Sequence, residues 1–292
     1  MPSGFFALFD DIATLMDDVA AMSKIATKKT AGILGDDLAV NSEKATGFVS
    51  TRELPVIWAI TKGSFLNKLI ILPLIILLSA YASWVIIPIL MVGGLYLAFE
   101  GAEKIYEYFL PHSHDLHHTA TDSFTKEEIL KIEKDKIKSA IITDFILSLE
   151  IIIIALSTVT DKPLSIQIPV LITVAIVATI GVYGIVALIV RMDDLGYSFI
   201  KKGKKYNKKF LSSIGTFLVA SLPWVIKILA VIGTLAMLLV AGGIFVHNIH
   251  QIHDLLHGIP SLLAEFLVGV VIGILVLGFV KFFLFLKSKL SK

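Results

Sequence analysis

The sequence contains no cysteine, which excludes disulfide bonds, thiolate metal sites and cysteine nucleophiles. Charged residues are also scarce: they make up 17% of the 292 residues, against about 25% in an ordinary soluble domain. No glycine-rich phosphate loop, nucleophile elbow or HExxH zinc motif occurs. The first residues lack a basic segment and become acidic quickly, so we expect no cleavable secretion signal. Insertion into a membrane must therefore depend on internal segments.

Apolar sequence dominates the chain, with hydrophobic residues at 56% of the total. A helix needs about 20 mostly apolar residues to cross the hydrocarbon core of a bilayer. We predict an all-α, polytopic helical membrane protein with about seven spans. Pro73, Pro88 and Pro223 interrupt some of them and would kink those helices. The predicted spans are 66–82, 84–109, 139–160, 164–190, 211–231, 232–257 and 262–286.

The chain divides into three predicted regions. Residues 1–63 form an amphipathic, aspartate-rich segment, cytosolic or interfacial, whose part 27–63 we expect to be a loop. Residues 64–160 and 161–292 form two membrane repeats. The internal duplication is suggested by elements in the same order: Met91–Leu95 resembles Val240–Ile244, and Asp144–Leu147 resembles Glu265–Val268. Duplicated halves with broken helices are typical of secondary transporters.

Lysine-rich segments predict the orientation of the spans. Residues 126–138 and 201–209 should be cytoplasmic under the positive-inside rule, and the N-terminus should lie on the same side. Seven spans would then put the C-terminus outside, which conflicts with Lys281, Lys287, Lys289 and Lys292. Either one segment is re-entrant or the first helix, at 5–26, also enters the membrane. We interpret the polylysine loop as a topology signal rather than a nucleic-acid site.

Acidic residues lie inside or at the ends of the apolar runs. An ionisable group in hydrocarbon costs at least roughly 2.5–3.5 kcal/mol, so it usually faces protein or water and marks function. Glu100 and Glu103 share a helix face and could hold a cation or share a proton, or else pair with Lys104 or Lys68 near the headgroups. Asp144 and Glu150 lie deeper in their span, and for Glu150 we favour a proton relay or a cation site.

Histidines follow the last proline-broken run. His247, His250, His253 and His257 share one helical arc with Asp254, which could shuttle protons or bind a transition metal. The metal ligands would be His250, His253, His257 and Asp254, with a second set from His112, His114, His117 and His118. Ordinary packing and hydrogen bonding at the interface is the alternative.

Two aspartate pairs, Asp17-Asp18 and Asp193-Asp194, lie near the proposed cytoplasmic side. Negative charge is unusual there. The pairs could recruit cations, or they could pair with Arg191 and neighbouring lysines. The aspartates of the first helix also argue for burial against protein, since interfacial helices usually carry Lys and Arg.

Several segments of the first 110 residues resemble the YedI-like family of bacterial inner-membrane proteins. They are Phe9–Leu15, Lys28–Gly32, Gly35–Ala39, Glu53–Val56, Lys62–Ser64, Asn67-Lys68 and Phe99–Lys104, with Asp193-Asp194 matching more loosely. The resemblance implies a multi-pass protein of the bacterial inner membrane. This family has no assigned activity, so the resemblance implies neither a reaction nor a site.

Together these features favour an ion- or proton-coupled transporter or channel over an enzyme. Its pathway would be lined by Glu100, Glu103, Asp144, Glu150, His247, His250 and the two aspartate pairs. The expected partners are the lipid bilayer and a small ion or proton, with a bound cation as the candidate cofactor and a homo-oligomer left open. A membrane-embedded metal-dependent enzyme and a non-catalytic scaffold are the alternatives.

Overall fold

The computed structural model describes residues 3–46, 50–109, 126–256 and 258–290. Every regular element in these ranges is helical. The helices are α1 (Ser3–Ala45), α2 (Ser50–Tyr81), α3 (Ile86–Phe109), α4 (Lys126–Ser157), α5 (Leu164–Val190), α6 (Met192–Lys205), α7 (Lys209–Asn248), α8 (His250–Leu255) and α9 (Ser261–Leu290). A short 3₁₀ turn, Ser83–Val85, separates α2 from α3.

Six helices in the described part of the chain are long and apolar enough to cross a membrane: α2, α3, α4, α5, α7 and α9. The prediction of an all-α, polytopic membrane protein is therefore confirmed. The predicted spans 211–231 and 232–257 belong largely to one helix, α7, which continues through Pro223. The charged segment before Ala140 is likewise continuous with the span that follows, because α4 begins at Lys126.

The first helix differs most from expectation. The predicted loop over 27–63 is wrong, because α1 continues to Ala45 and α2 begins at Ser50. The second half of α1 runs antiparallel to α4 through the bundle: Lys29 contacts Ser157, and Lys44 contacts Ser139. It is packed mainly against α4, α5 and α7. The four aspartates of its first half are exposed, so their predicted burial against protein is also wrong.

This path through the bundle changes the topology. Because α1 reaches the side where α4 begins, its first half lies on the opposite side from the lysine-rich segments 126–138 and 201–209. The positive-inside pattern had predicted the N-terminus on the same side as those lysines. With α1 and six apolar helices passing through the bundle, the end of α9 lies on the lysine-rich side. The conflict posed by Lys281 and Lys289 thus disappears.

The close packing of α7 and α9 positions one acidic residue. A Cβ atom on Gly242 of α7 would overlap the backbone carbonyl oxygen of Glu265, and one on Gly269 of α9 would overlap that of Leu238. Glycine is therefore required where these two backbones meet. The contact holds Glu265 against the end of α7, beside His247.

The apolar core surrounds the second half of α1. Its buried side chains come from α1, α2, α3, α4, α5 and α7 and include Val40, Ile71, Leu97, Leu147 and Met237. Many apolar side chains on the outer faces of α5 and α9 are exposed, as expected of helices that face lipid. Polar groups on α1, α2 and α4 are instead directed into the bundle.

Candidate functional site

Asp144 is the centre of a buried polar network in the middle of the bundle. Its side chain is 0% exposed. The Oδ1 atom accepts hydrogen bonds from Ser64 Oγ and Tyr183 OH, each at 2.8 Å. The Oδ2 atom accepts hydrogen bonds from Asn67 Nδ2 at 3.0 Å and from Ser148 Oγ at 3.4 Å. Three helices, α2, α4 and α5, thus converge on one carboxylate.

Lys68 supplies the cation of this network and is only 5% exposed. Its Nζ lies 3.6 Å from Asp144 Oδ1 and donates hydrogen bonds to Ser64 Oγ and Ser148 Oγ, each at 2.8 Å. Both hydroxyls in turn donate to the Asp144 carboxylate. The ammonium and the carboxylate are therefore linked through two hydroxyl groups, which is a geometry suited to proton transfer as well as to charge compensation.

A second acid joins the network from α1. Asn41 Nδ2 donates to Asp37 Oδ1 at 2.5 Å, and Asn41 Oδ1 lies 3.0 Å from Tyr183 OH. The single Tyr183 proton can be donated either to Asn41 or to Asp144. Asp37 is buried and interacts electrostatically with both Asp144 and Lys68. Two carboxylates and one ammonium thus share an enclosed site built by four helices.

Glu100 belongs to a neighbouring cluster toward the lysine-rich side. Its carboxylate forms an ion pair with Lys44 of α1 and accepts a hydrogen bond from Thr143 Oγ1 at 2.9 Å. Beside it, Glu43 forms an ion pair with Lys104. The predicted partners of Glu100 were Lys104 or Lys68, and the structure provides Lys44 instead. Because Thr143 precedes Asp144 in α4, the two clusters are adjacent in the bundle.

Glu150 lies in a third cluster, toward the opposite side. It interacts electrostatically with Asp36, Asp37 and Glu265, and its Oε2 atom is buried without a hydrogen-bond partner among the described residues. His247 Nε2 lies 3.3 Å from Glu265 Oε1. Of the two residues predicted from the sequence, His247 contacts Glu265 directly, whereas Glu150 lies within electrostatic range of it.

The other predicted site residues lie elsewhere or outside the description. Asp17 and Asp18 are exposed on α1, and His250 and Asp254 are exposed on α8. Asp194 pairs with Arg191 at 2.5 Å, as one of the predicted alternatives proposed, and Asp193 Oδ1 accepts the Asp194 backbone N–H. Glu103 lies on α3, partly buried. The side chain of His253, together with His257, His112, His114, His117 and His118, lies outside the described residues.

A metal centre finds no support in the part of the chain that the structure describes, where no group of three or more His, Asp and Glu side chains could hold a metal ion. The proposed ligand set includes the side chain of His253 and the residue His257, which lie outside that part. The metal site therefore stays a prediction.

Most polar residues that complete the network were missed as site residues. The residues concerned are of common types, and only their contacts in the structure show that they belong to the network. They are Asn41, Ser64, Asn67, Ser148 and Tyr183. One signal was present: Asp37/Asn41, Ser64/Lys68 and Asp144/Ser148 are each four residues apart, so each pair lies on one helix face. Polar pairs at this spacing in long helices indicate an inward-facing polar stripe.

Comparison with known proteins gives a family and no activity. The family model DUF808, described as a protein of unknown function, matches residues 3–281. No curated protein and no solved structure matches the chain. The expectation of an uncharacterised family is therefore supported, whereas the name YedI is not.

Proposed function

We propose that this chain, which belongs to the DUF808 family, is a proton-coupled membrane transporter of the bacterial inner membrane. The observation that carries the proposal is the enclosed network of Asp37, Lys68, Asp144 and Tyr183 within a bundle of membrane-spanning helices. Ionisable groups at membrane depth are retained where they move ions or protons. For the inner-membrane location, the proposal relies on the positive-inside pattern of the lysine-rich segments.

The network has the chemistry that proton coupling requires. Asp144 can exchange a proton with Lys68 through Ser64 or Ser148, because each hydroxyl accepts from the ammonium and donates to the carboxylate. Tyr183 connects Asp144 with Asn41, which contacts Asp37. A cation entering the site would compete with Lys68 for the carboxylates, so cation binding and proton release would be coupled.

Polar clusters also lie on both sides of the network, which favours a pathway over an isolated structural pair. Glu100 and Lys44 lie toward the lysine-rich side, next to Asp144 through Thr143. Glu150 and Glu265 lie toward the other side, next to Asp37 through Asp36. Polar groups thus recur along the depth of the bundle, as a transport pathway needs. The enzyme and scaffold alternatives have no comparable observation in their favour.

We expect Asp144→Asn to abolish proton flux, because the substitution keeps the side-chain volume but removes the proton-binding carboxylate. It also leaves Lys68 buried without its carboxylate and lowers stability, so flux would be compared in protein whose fold is verified by circular dichroism. Wild-type and variant proteins would be reconstituted into liposomes that contain a pH-sensitive dye, and Na⁺, K⁺, Li⁺ and Mg²⁺ salts would be added in turn. The matched control is Asp161→Asn, which changes an exposed aspartate in the α4–α5 turn. Wild-type flux through Asp144→Asn would overturn the role of the network, and a wild-type protein that moves no protons with any of these ions would contradict proton coupling to metal cations.

A further inference from the structure

The acidic cluster around Glu150 lies apart from the Asp144–Lys68 pair. It shares α4 with that pair but also includes residues of α1, α7 and α9. Glu150 comes from α4, Asp36 from α1 and Glu265 from α9, and His247 of α7 contacts Glu265. The α7–α9 contact at Gly242 fixes Glu265 in this position. The cluster is therefore formed by the fold rather than by residues adjacent in the sequence.

Glu150 Oε2 is the most informative atom of the cluster. It is buried, and no donor in the described residues reaches it. The charged groups that act on Glu150 are Asp36, Asp37 and Glu265, all of them acids. A carboxylate oxygen that is buried without a donor disfavours the ionised form, and a proton bound to that oxygen lowers the penalty. The site is therefore suited to bind a proton rather than a metal, and no metal-binding group of three or more side chains occurs among the described residues.

The exposed end of this cluster is His247. Its side chain is 63% exposed and that of Glu265 is 16% exposed, while Asp36 and Glu150 are part-buried and the Oε2 atom of Glu150 is buried. At the inner end, Asp36 precedes Asp37, which interacts with Asp144. The series of residues from the end of α7 toward the buried network is therefore His247, Glu265, Glu150 and Asp36.

We propose that Glu150, with Asp36 and Glu265, is a proton-binding site that exchanges protons with solvent through His247 and delivers them to Asp37. Histidine titrates near neutral pH and suits the solvent end of such a path. Protonated His247 transfers its proton to the Glu265 carboxylate and becomes neutral imidazole. Glu265 then transfers that proton to Glu150 or Asp36 and regains its charge, and the last transfer is from either of these groups to Asp37. The delivery step rests on the proposed proton-coupled function, whereas the binding site does not.

The solvent-exposed end of this path lies at one end of the bundle. His247 is in the last turn of α7, at the bundle end opposite the lysine-rich segments. Under the positive-inside rule this end faces away from the cytoplasm. The path from His247 to Glu150 would therefore take up protons from the outer side of the membrane.

The test follows protonation of the site directly and needs no transported solute. Full-length protein in lipid nanodiscs would be subjected to a rapid drop in pH, and the carboxylic-acid C=O stretching bands would be recorded by time-resolved infrared spectroscopy. We expect a band that disappears in Glu150→Gln. In Glu265→Gln its appearance should slow about 100-fold, the lower end of what a positioned proton-transfer group contributes. Glu107→Gln, at an exposed position of α3, is the matched control.

The variant His247→Ala distinguishes a role of His247 in proton transfer from a structural role, because the exposed side chain can be removed without disturbing the core. We expect slow protonation of Glu150 that is accelerated again by added imidazole, which a purely structural role would not produce. An infrared spectrum unchanged by Glu150→Gln, or an unchanged rate in both Glu265→Gln and His247→Ala, would overturn the proposal. Slowed protonation in a protein without ion-linked proton flux would contradict transport and leave this site standing. Normal protonation rates in both Glu265→Gln and His247→Ala, combined with loss of proton flux in Asp144→Asn, would contradict this site and leave the proposed transport function standing.

Discussion

Lys68→Met is expected to lower the free energy of unfolding by about 3–5 kcal/mol, because it leaves the Asp144 carboxylate buried without its cation. The two hydroxyls that now link the charges would lose one donor each, although they could still donate to Asp144. Methionine fills a volume similar to that of the lysine stem, so packing changes little. Unfolding in mixed detergent micelles would measure the difference.

The matched control is Lys62→Met, which makes the same substitution at an exposed position of the same helix. Its effect should stay within about 0.5 kcal/mol. If Lys68→Met were as stable as this control, Lys68 would not be compensating the charge of Asp144. The contacts of Lys68 in the network would then contribute little to the free energy of unfolding.

The double variant Lys68→Met/Asp144→Asn should regain most of the lost stability. Replacing both partners of a buried ion pair by neutral groups is often neutral for stability, whereas removing one partner is costly. The introduced asparagine could still accept hydrogen bonds from Ser64 and Tyr183 through its side-chain carbonyl oxygen. A stable double variant without proton flux would show that the charges are kept for function and not for folding.

The apolar spans could be predicted from the sequence, but the passage of α1 through the bundle could not. Hydropathy identifies helices with apolar surfaces that can face lipid, and α2, α5 and α9 have such surfaces on their outer faces. The second half of α1 carries Asp37, Asn41 and Lys44. Asn41 and Lys44 bond to side chains of other helices, and Asp37 accepts a hydrogen bond from Asn41. A helix enclosed by protein needs no lipid-compatible surface, so its composition resembles that of a soluble segment.

The acids of the candidate site were recognisable, but their partners were not. Asp144 and Glu150 stand out because a carboxylate in an apolar run is costly. Tyr183, Ser64 and Asn67 are compatible with ordinary helix packing, and only the meeting of α2, α4 and α5 gives them a shared role. Which helices meet depends on packing between segments far apart in the sequence, and no local pattern encodes it.

The ion pair between Lys44 and Glu100 leads to a second large effect, on the docking of α1. Both side chains are nearly buried, and Lys44 also donates to Ser139 Oγ at 3.0 Å and to Thr143 Oγ1 at 2.5 Å. Lys44→Met would leave Glu100 with hydroxyl donors alone. We expect a loss of about 3 kcal/mol or more, with the end of α1 separating from α3 and α4 before the remaining helices unfold.

The absence of cysteine makes this separation measurable with a single introduced thiol. Ala39→Cys places it on the buried face of α1, where Ala39 is 4% exposed. N-ethylmaleimide should label this thiol slowly in the otherwise unchanged protein. In Lys44→Met, labelling should be about 100-fold faster, since about 3 kcal/mol shifts an opening equilibrium by that factor. Lys28→Met, at an exposed position of α1, should leave the rate unchanged.

A further substitution tests whether the buried charge causes the opening. Adding Glu100→Gln to Lys44→Met removes the uncompensated carboxylate and should restore slow labelling, because glutamine can still accept hydrogen bonds from Ser139 and Thr143. Fast labelling in both variants would instead assign the effect to lost packing of the lysine stem. Slow labelling in Lys44→Met would mean that the adjacent pair Glu43–Lys104 and the apolar contacts of Val40 suffice to hold α1. In that case the charges of Lys44 and Glu100 would be dispensable for folding, and their burial in a membrane protein would point to the transport pathway.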